Sequence, residues 1–164
     1  MDTEGKVFWQ RRVRFKKLHA DAVKPSQSRD FDAGYDLCCL EDVELYSGIP
    51  VKIPTGIAME IPEGYVGLVW DRSGNGSKGI KVLGGVIDST YRGEILVCLV
   101  NTCFAKDIDG YQFNAYSKMK LPKGSKIAQI LIQPVESILF EEVESLSTTD
   151  RGEKGFGSSD NVVD

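Results

Sequence analysis

Between Gly84 and Glu94 the chain reads Gly-Gly-Val-Ile-Asp-Ser-Thr-Tyr-Arg-Gly-Glu, which sets Asp88 at a turn just ahead of the apolar run Ile95 to Val100. A carboxylate placed beside buried strands but short of solvent is either a turn-former or a general base, and this stretch alone leaves both open. Arg72-Ser73-Gly74 combines a planar cationic fork, a hydroxyl and a backbone without Cβ, a set suited to phosphate oxygens. Taken alone, three such residues are more often an ordinary solvated turn. Near the C-terminus, Arg151-Gly152-Glu153-Lys154-Gly155-Phe156-Gly157-Ser158-Ser159 could wrap a polyphosphate with backbone N–H groups. It contains no Gly-Lys-Ser/Thr triplet and is not a Walker A loop. Phe156 among glycines suits stacking on a base, the alternative being that it docks on the protein's own core.

Two further polar residues interrupt strand-like runs. Gln129, within Ile127-Ala128-Gln129-Ile130-Leu131-Ile132, must find partners for its amide if buried, although alternation turns it outward. Asp36, between Tyr35 and Leu37, is either a buried carboxylate near a metal or an arginine, or a strand-edge aspartate bonded to a backbone amide.

The elements that must position these residues read as β-strands. Arg12 to Leu18 alternates Val13, Phe15 and Leu18 with cations, the pattern of an edge strand. Short strands are predicted at Val43 to Tyr46, Val51 to Ile53, Gly56 to Ile61 and Tyr65 to Trp70, broken by Gly48, Pro50, Pro54 and Pro62-Glu63-Gly64. Asp71 to Ile80 reads as a loop, and Ile95 to Val100 as a strand covered on both faces. Asn101 to Gly124 is a long polar connection expected to form a small hairpin of its own. Lys126 to Pro134 is a strand, and Val135 to Val143 either continues it or crosses to another sheet. The fold class is all-β, a sandwich or barrel, with a body over 1–143, an insertion at about 101–124 and a flexible arm over 144–164.

At 164 residues the chain suits one domain with a core of its own. A net charge of −4 supplies no global attraction to nucleic acid or an anionic membrane, so a phosphate ligand must be met by local cations. Cys38, Cys39, Cys98 and Cys103 lack disulfide-framework spacing and read as free, mostly buried thiols of a reducing, cytoplasmic compartment. The single histidine, His19, excludes multi-histidine metal sites and reads as a surface or half-buried residue. Residues 1–10 read as a loose leader, with neither a cleavable signal pattern nor an apolar run of spanning length.

The order of these segments closely resembles the motifs of the trimeric dUTP diphosphatases. The matching stretches are Ala33-Gly34-Tyr35-Asp36-Leu37, Arg72-Ser73-Gly74 with Lys78-Gly79-Ile80, Gly85-Val86-Ile87-Asp88 with Tyr91-Arg92-Gly93, Lys126-Ile127-Ala128-Gln129, and Arg151-Gly152 with Gly155-Phe156-Gly157-Ser158. The resemblance implies a homotrimer of distorted jelly-roll subunits, with sites at subunit boundaries and an exchanged C-terminal tail. It makes Asp88 the general base for water attack on the α-phosphate of dUTP. Tyr91 would pack under the deoxyribose, and backbone at Gly85, Val86, Ile87 and Leu96 would read uracil. Arg72, Ser73, Gly74 and Gln129 would contact phosphates, and Arg151 the terminal one. Phe156 would stack on uracil, while Gly157 and Ser158 would donate to phosphate oxygens. Mg²⁺ would be held chiefly by the triphosphate, with Asp36 acting at most through water. The rivals are a dCTP deaminase or bifunctional relative of the same fold, and a regulatory binding protein.

Three features depart from the resemblance. Asn75 stands where an apolar residue is usual, Lys154 where glycine is usual, and the connection over 101–124 is long, as in some phage-type members, and could present a protein-binding surface.

Overall fold

The computed structural model describes residues 12–103 and 117–153 of the chain. In chain order its elements are β1 (Arg14–Lys17), β2 (Tyr35–Cys38), β3 (Val43–Tyr46), β4 (Val51–Glu60), β5 (Tyr65–Trp70), α1 (Ser73–Gly76), β6 (Ile80–Leu83), β7 (Val86–Ile87), β8 (Glu94–Asn101), β9 (Lys118–Leu121) and β10 (Lys126–Pro134). Alternation decides which faces meet. Along β8, Ile95, Val97, Leu99 and Asn101 turn inward; along β3, Val43 and Leu45 do. One sheet has the order β1-β4-β8-β6 and a second the order β2-β10-β5-β7, while β3 and β9 pair separately. All named pairings are antiparallel. Leu45, Ile53, Val97, Leu99 and Ile127 are fully buried between these layers, each contributing about 1.5–3 kcal/mol by leaving water.

Several expectations change. Pro54 does not end a strand: β4 is continuous, and its register against β8 shifts between Pro54 and Ala58. The interrupted ladder is compensated by Leu40 N–H donating to Pro54 O, Leu18 N–H to Gly56 O, and Gly56 N–H to Glu94 Oε1. The strand Ile95 to Val100 is covered on only one face within the subunit, for Leu96 is 46% exposed and Cys98 and Val100 are half-buried. The stretch Asp71 to Ile80 is not all loop, since Ser73–Gly76 closes one helical turn.

The connection after β8 returns as β9, which pairs with β3 rather than with itself, so any separate hairpin lies in 104–116, outside the described residues. Beyond β10, residues 135–153 form neither strand nor helix and are exposed throughout, so they neither continue the strand nor enter another sheet. Among the described residues, the last backbone bond of this stretch to the packed body is Val135 N–H to Gly64 O at 2.9 Å. All four cysteines are free; Cys38 and Cys39 are buried, and burial pushes both thiols up, whereas Cys103 is exposed. His19 is on the surface as expected. The leader over 1–10 lies outside the described residues, among which no helix is long and apolar enough to cross a membrane.

Candidate active site

The register of the second sheet explains how one cleft is built. Gln129 on β10 stands opposite Asp36 on β2 and opposite Trp70 on β5, and residues directly opposed in antiparallel strands present their side chains to one face. β5 ends at Trp70, and the chain then turns through Asp71 into Arg72, which caps α1 with extended backbone. Arg72, Ser73, Gly74 and Gln129 therefore line a common cleft of about 560 Å³ together with Gly34 and Asp36.

Asp36 organises this cleft. Its side chain is 9% exposed, and Arg72 Nε lies 2.7 Å from Oδ1 while Lys126 Nζ lies 2.6 Å from Oδ2. Ser28 Oγ also donates to Oδ2, at 3.1 Å. Burial alone would raise this carboxyl, but Lys126, Ser28 and Arg72 hold it below the ordinary carboxylate value. Of the two sequence readings, the buried carboxylate beside an arginine is the one found. Gln129 is half-buried and donates from Nε2 to Asp71 O at 2.8 Å, so its amide is partnered rather than simply turned outward. A Cβ at Gly34 would overlap the Gln129 carboxamide oxygen, which gives that glycine a steric reason.

A second cleft, of about 190 Å³, is lined by Val86, Ile87, Asp88, Tyr91, Glu94 and Leu96. Gly85 makes its wall possible: φ is 113°, and a Cβ would stand 2.6 Å from Val69 O. Val69 N–H in turn donates to Gly85 O at 2.7 Å. β7 is only two residues long, so Asp88 steps beyond the sheet onto a turn closed by Tyr91 N–H to Asp88 O at 3.1 Å. Asp88 is exposed in the subunit, contrary to the expectation that it lies short of solvent. Tyr91 is fixed by its hydroxyl donating to Glu94 O at 2.9 Å, and Arg92 staples the turn by donating to Ser89 O at 2.5 Å.

One subunit does not bring the whole set together, because the two clefts share no lining residue. Arg151 lies on the exposed segment after β10, and Phe156, Gly157, Ser158 and Lys154 fall outside the described residues. No group of three or more His, Cys, Asp or Glu suited to a metal exists among the described residues. Asp36 has cations on both oxygens, so the donor set does not form a protein-built cation cage. Sequence reasoning missed Ser28 and the ion pair made by Lys126, whose only signal was that Lys126 stands three residues before Gln129. It also missed Asp71, which gives no signal until β6 is placed beside it.

Two packed antiparallel sheets carrying a glycine-edged cleft built on the Arg72–Asp36 pair and a separate turn-borne carboxylate define a distorted jelly roll with two partial sites. A family model described as dUTPase matches residues 20–160, and the chain belongs to that family. It is 41% identical over 150 residues to the deoxyuridine 5'-triphosphate nucleotidohydrolase of Rhodococcus erythropolis, covering 90% of this chain and 85% of the relative. The solved dUTPase of Staphylococcus bacteriophage 80alpha with dUPNHPP is 34% identical at a TM-score of 0.77, covering 92% of this chain and 99% of that one. A mutant dUTPase of phage phi11 of S. aureus, solved for the coordination of a structural Mg(II) ion, is 30% identical at a TM-score of 0.71, covering 82% of this chain and 98% of that one.

Proposed function

We propose that this protein hydrolyses dUTP to dUMP and pyrophosphate, with Asp88 as general base. The observation that carries the assignment of roles is that Asp88 lines the same small cleft as the Val86–Ile87 backbone, Tyr91 and Leu96, while Arg72 and Gln129 line a separate polar cleft. A deoxyuridine seated on Val86, Ile87 and Leu96, with its sugar on Tyr91, puts its α-phosphate at the Asp88 end. Asp88 takes a proton from the water that attacks the α-phosphorus in line; the bond from that phosphorus to the bridging oxygen of the β-phosphate breaks, releasing pyrophosphate. Arg72, Ser73, Gly74 and Gln129 receive the charge of the leaving phosphates, with Arg151 at the terminal one. Backbone recognition along Val86 and Ile87 leaves no room for a 5-methyl group, and Tyr91 leaves none for a 2′-hydroxyl.

Mg²⁺ supplies charge neutralisation along the triphosphate. Among the described residues the carboxylates do not assemble a cage for it, which supports a metal that arrives on the phosphates, with Asp36 acting chiefly on Arg72.

The complete site is assembled from several copies of the chain, as a homotrimer. Three features support this: the clefts are separate, Leu96 is exposed, and the segment after Pro134 carries exposed Ile138, Leu139, Phe140 and Leu146, which need a surface to cover them. The edge strand β1 exposes Lys16 and Lys17, of opposite charge to Glu141 and Glu142 on that segment, while Arg14 pairs with Glu60. The exchanged arm then delivers Phe156 to stack on uracil and Gly157 and Ser158 to the phosphates of another subunit.

The test is to incubate the protein with Mg²⁺ and, separately, dUTP, dCTP, UTP or dTTP, following pyrophosphate and ammonia. Pyrophosphate from dUTP alone is expected; ammonia from dCTP, or no turnover of dUTP, would overturn the reading.

A further inference from the structure

The turn that carries Arg72, Ser73 and Gly74 is held by side chains that none of the proposed substrate contacts involves. β10 extends beyond the end of β5: the ladder between them starts at Gln129 opposite Trp70, so Lys126 and Ile127 have no β5 partner. On its other side β10 is irregular at the same place, with its register against β2 shifting between Lys126 and Ala128. Asn75 fills the gap. Its Nδ2 donates to Ile127 O at 3.0 Å and to Lys126 O at 3.2 Å, so a side-chain amide stands where a strand's N–H groups would.

The other end of the turn is tied to the other sheet. β6 is an edge strand, and Val82 N–H donates to Asp71 Oδ1 at 2.6 Å, while Lys81 Nζ pairs with Asp71 Oδ2. Asp71 O also receives the Gln129 amide, so the same residue fixes a second proposed phosphate contact. Residues 71–76 thus form a strap between the sheets, latched to β6 by Asp71 and to β10 by Asn75.

We infer that Asn75 and Asp71 are positioning residues that set the phosphate-facing turn, and with it Arg72 and Gln129, against the polyphosphate of the substrate. This rests on the proposed dUTP reading. Neither latch lines the cleft occupied by base and sugar, so losing one weakens the grip on phosphates and spares the grip on the nucleoside.

The experiment compares KM for dUTP with the inhibition constant of deoxyuridine, which has no phosphate, in the full-length protein and its Asn75→Ala and Asp71→Ala variants. Each variant is expected to raise KM for dUTP about tenfold, with the deoxyuridine constant unchanged within about twofold. Asp71→Asn keeps an acceptor for Val82 N–H and is expected to stay within about threefold of wild-type KM. Equal losses for dUTP and deoxyuridine, wild-type KM in either alanine variant, or no recovery in Asp71→Asn would overturn the inference. Thermal unfolding of each variant identifies one that has not folded, in which case the remaining alanine variant decides. Failure of the wild-type protein to turn over dUTP would instead overturn the functional reading.

Discussion

Arg72 Nε lies 2.7 Å from Asp36 Oδ1, joining a residue just past β5 to one in the middle of β2 across the intervening β10. Because Nε is occupied, the two terminal nitrogens of the guanidinium remain to face an anion, and the arginine is ordered before any ligand arrives. Lys126 on the second Asp36 oxygen leaves these three side chains with one positive charge in excess, in a protein of net charge −4.

Removing the organising carboxylate should therefore cost both fold and function. Asp36→Ala leaves Arg72 and Lys126 facing each other without their common partner. Urea unfolding should show a loss of about 2 kcal/mol, less than for a fully buried pair because Lys126 is partly exposed, and KM for dUTP should rise. Unchanged stability would mean that the cluster does not hold the strands.

The same carboxylate predicts an acid dependence. Its pKa is lowered in the folded protein, so its contribution is complete above the unfolded value of about 3.9 and is lost as pH falls through the folded value. The stability gap between wild type and Asp36→Asn should be constant from neutral pH to about pH 5 and narrow below about pH 4. A gap that widens on acidification contradicts the assignment.

A side chain at Gly34 must push the Gln129 carboxamide aside, because its Cβ would overlap that group. Gly34→Ala should displace Gln129 from Asp71 O and raise KM for dUTP about tenfold, at a folding cost of about 1–2 kcal/mol. Wild-type KM in a folded variant would remove Gln129 from the list of phosphate contacts.

Truncation after Thr149 removes Arg151 and the glycine-rich segment around Phe156. Turnover should fall about a hundredfold or more while sedimentation still reports a trimer. Undiminished activity would refute the closing tail.

Much of this was legible in the amino-acid order, for identifiable reasons. The strand-like segments Val43 to Tyr46 and Lys126 to Pro134 are β3 and β10 with those bounds, whereas the close approach of Gly85 to Val69 gave no signal beyond the glycine itself. Pro54 misled because a proline can sit within a strand where the ladder is irregular, and that depends on partners far along the chain. The apolar run after Glu94 read as doubly covered because one subunit buries one face and leaves Leu96 and its neighbours exposed, which composition does not distinguish. Asp36 stayed ambiguous for the same reason: Arg72 and Lys126 are distant in sequence and meet it only through the order β2-β10-β5. Asn75 looked like a bare departure until the gap beside Ile127 was visible.

The central claim is that Asp88 activates water for attack on dUTP, and single-turnover kinetics of Asp88→Asn test it most directly. The amide keeps the shape of the turn but cannot accept the proton, so the chemical step should slow by about a thousandfold while dUTP binding stays near wild type. A variant that releases pyrophosphate at the wild-type rate would contradict the account.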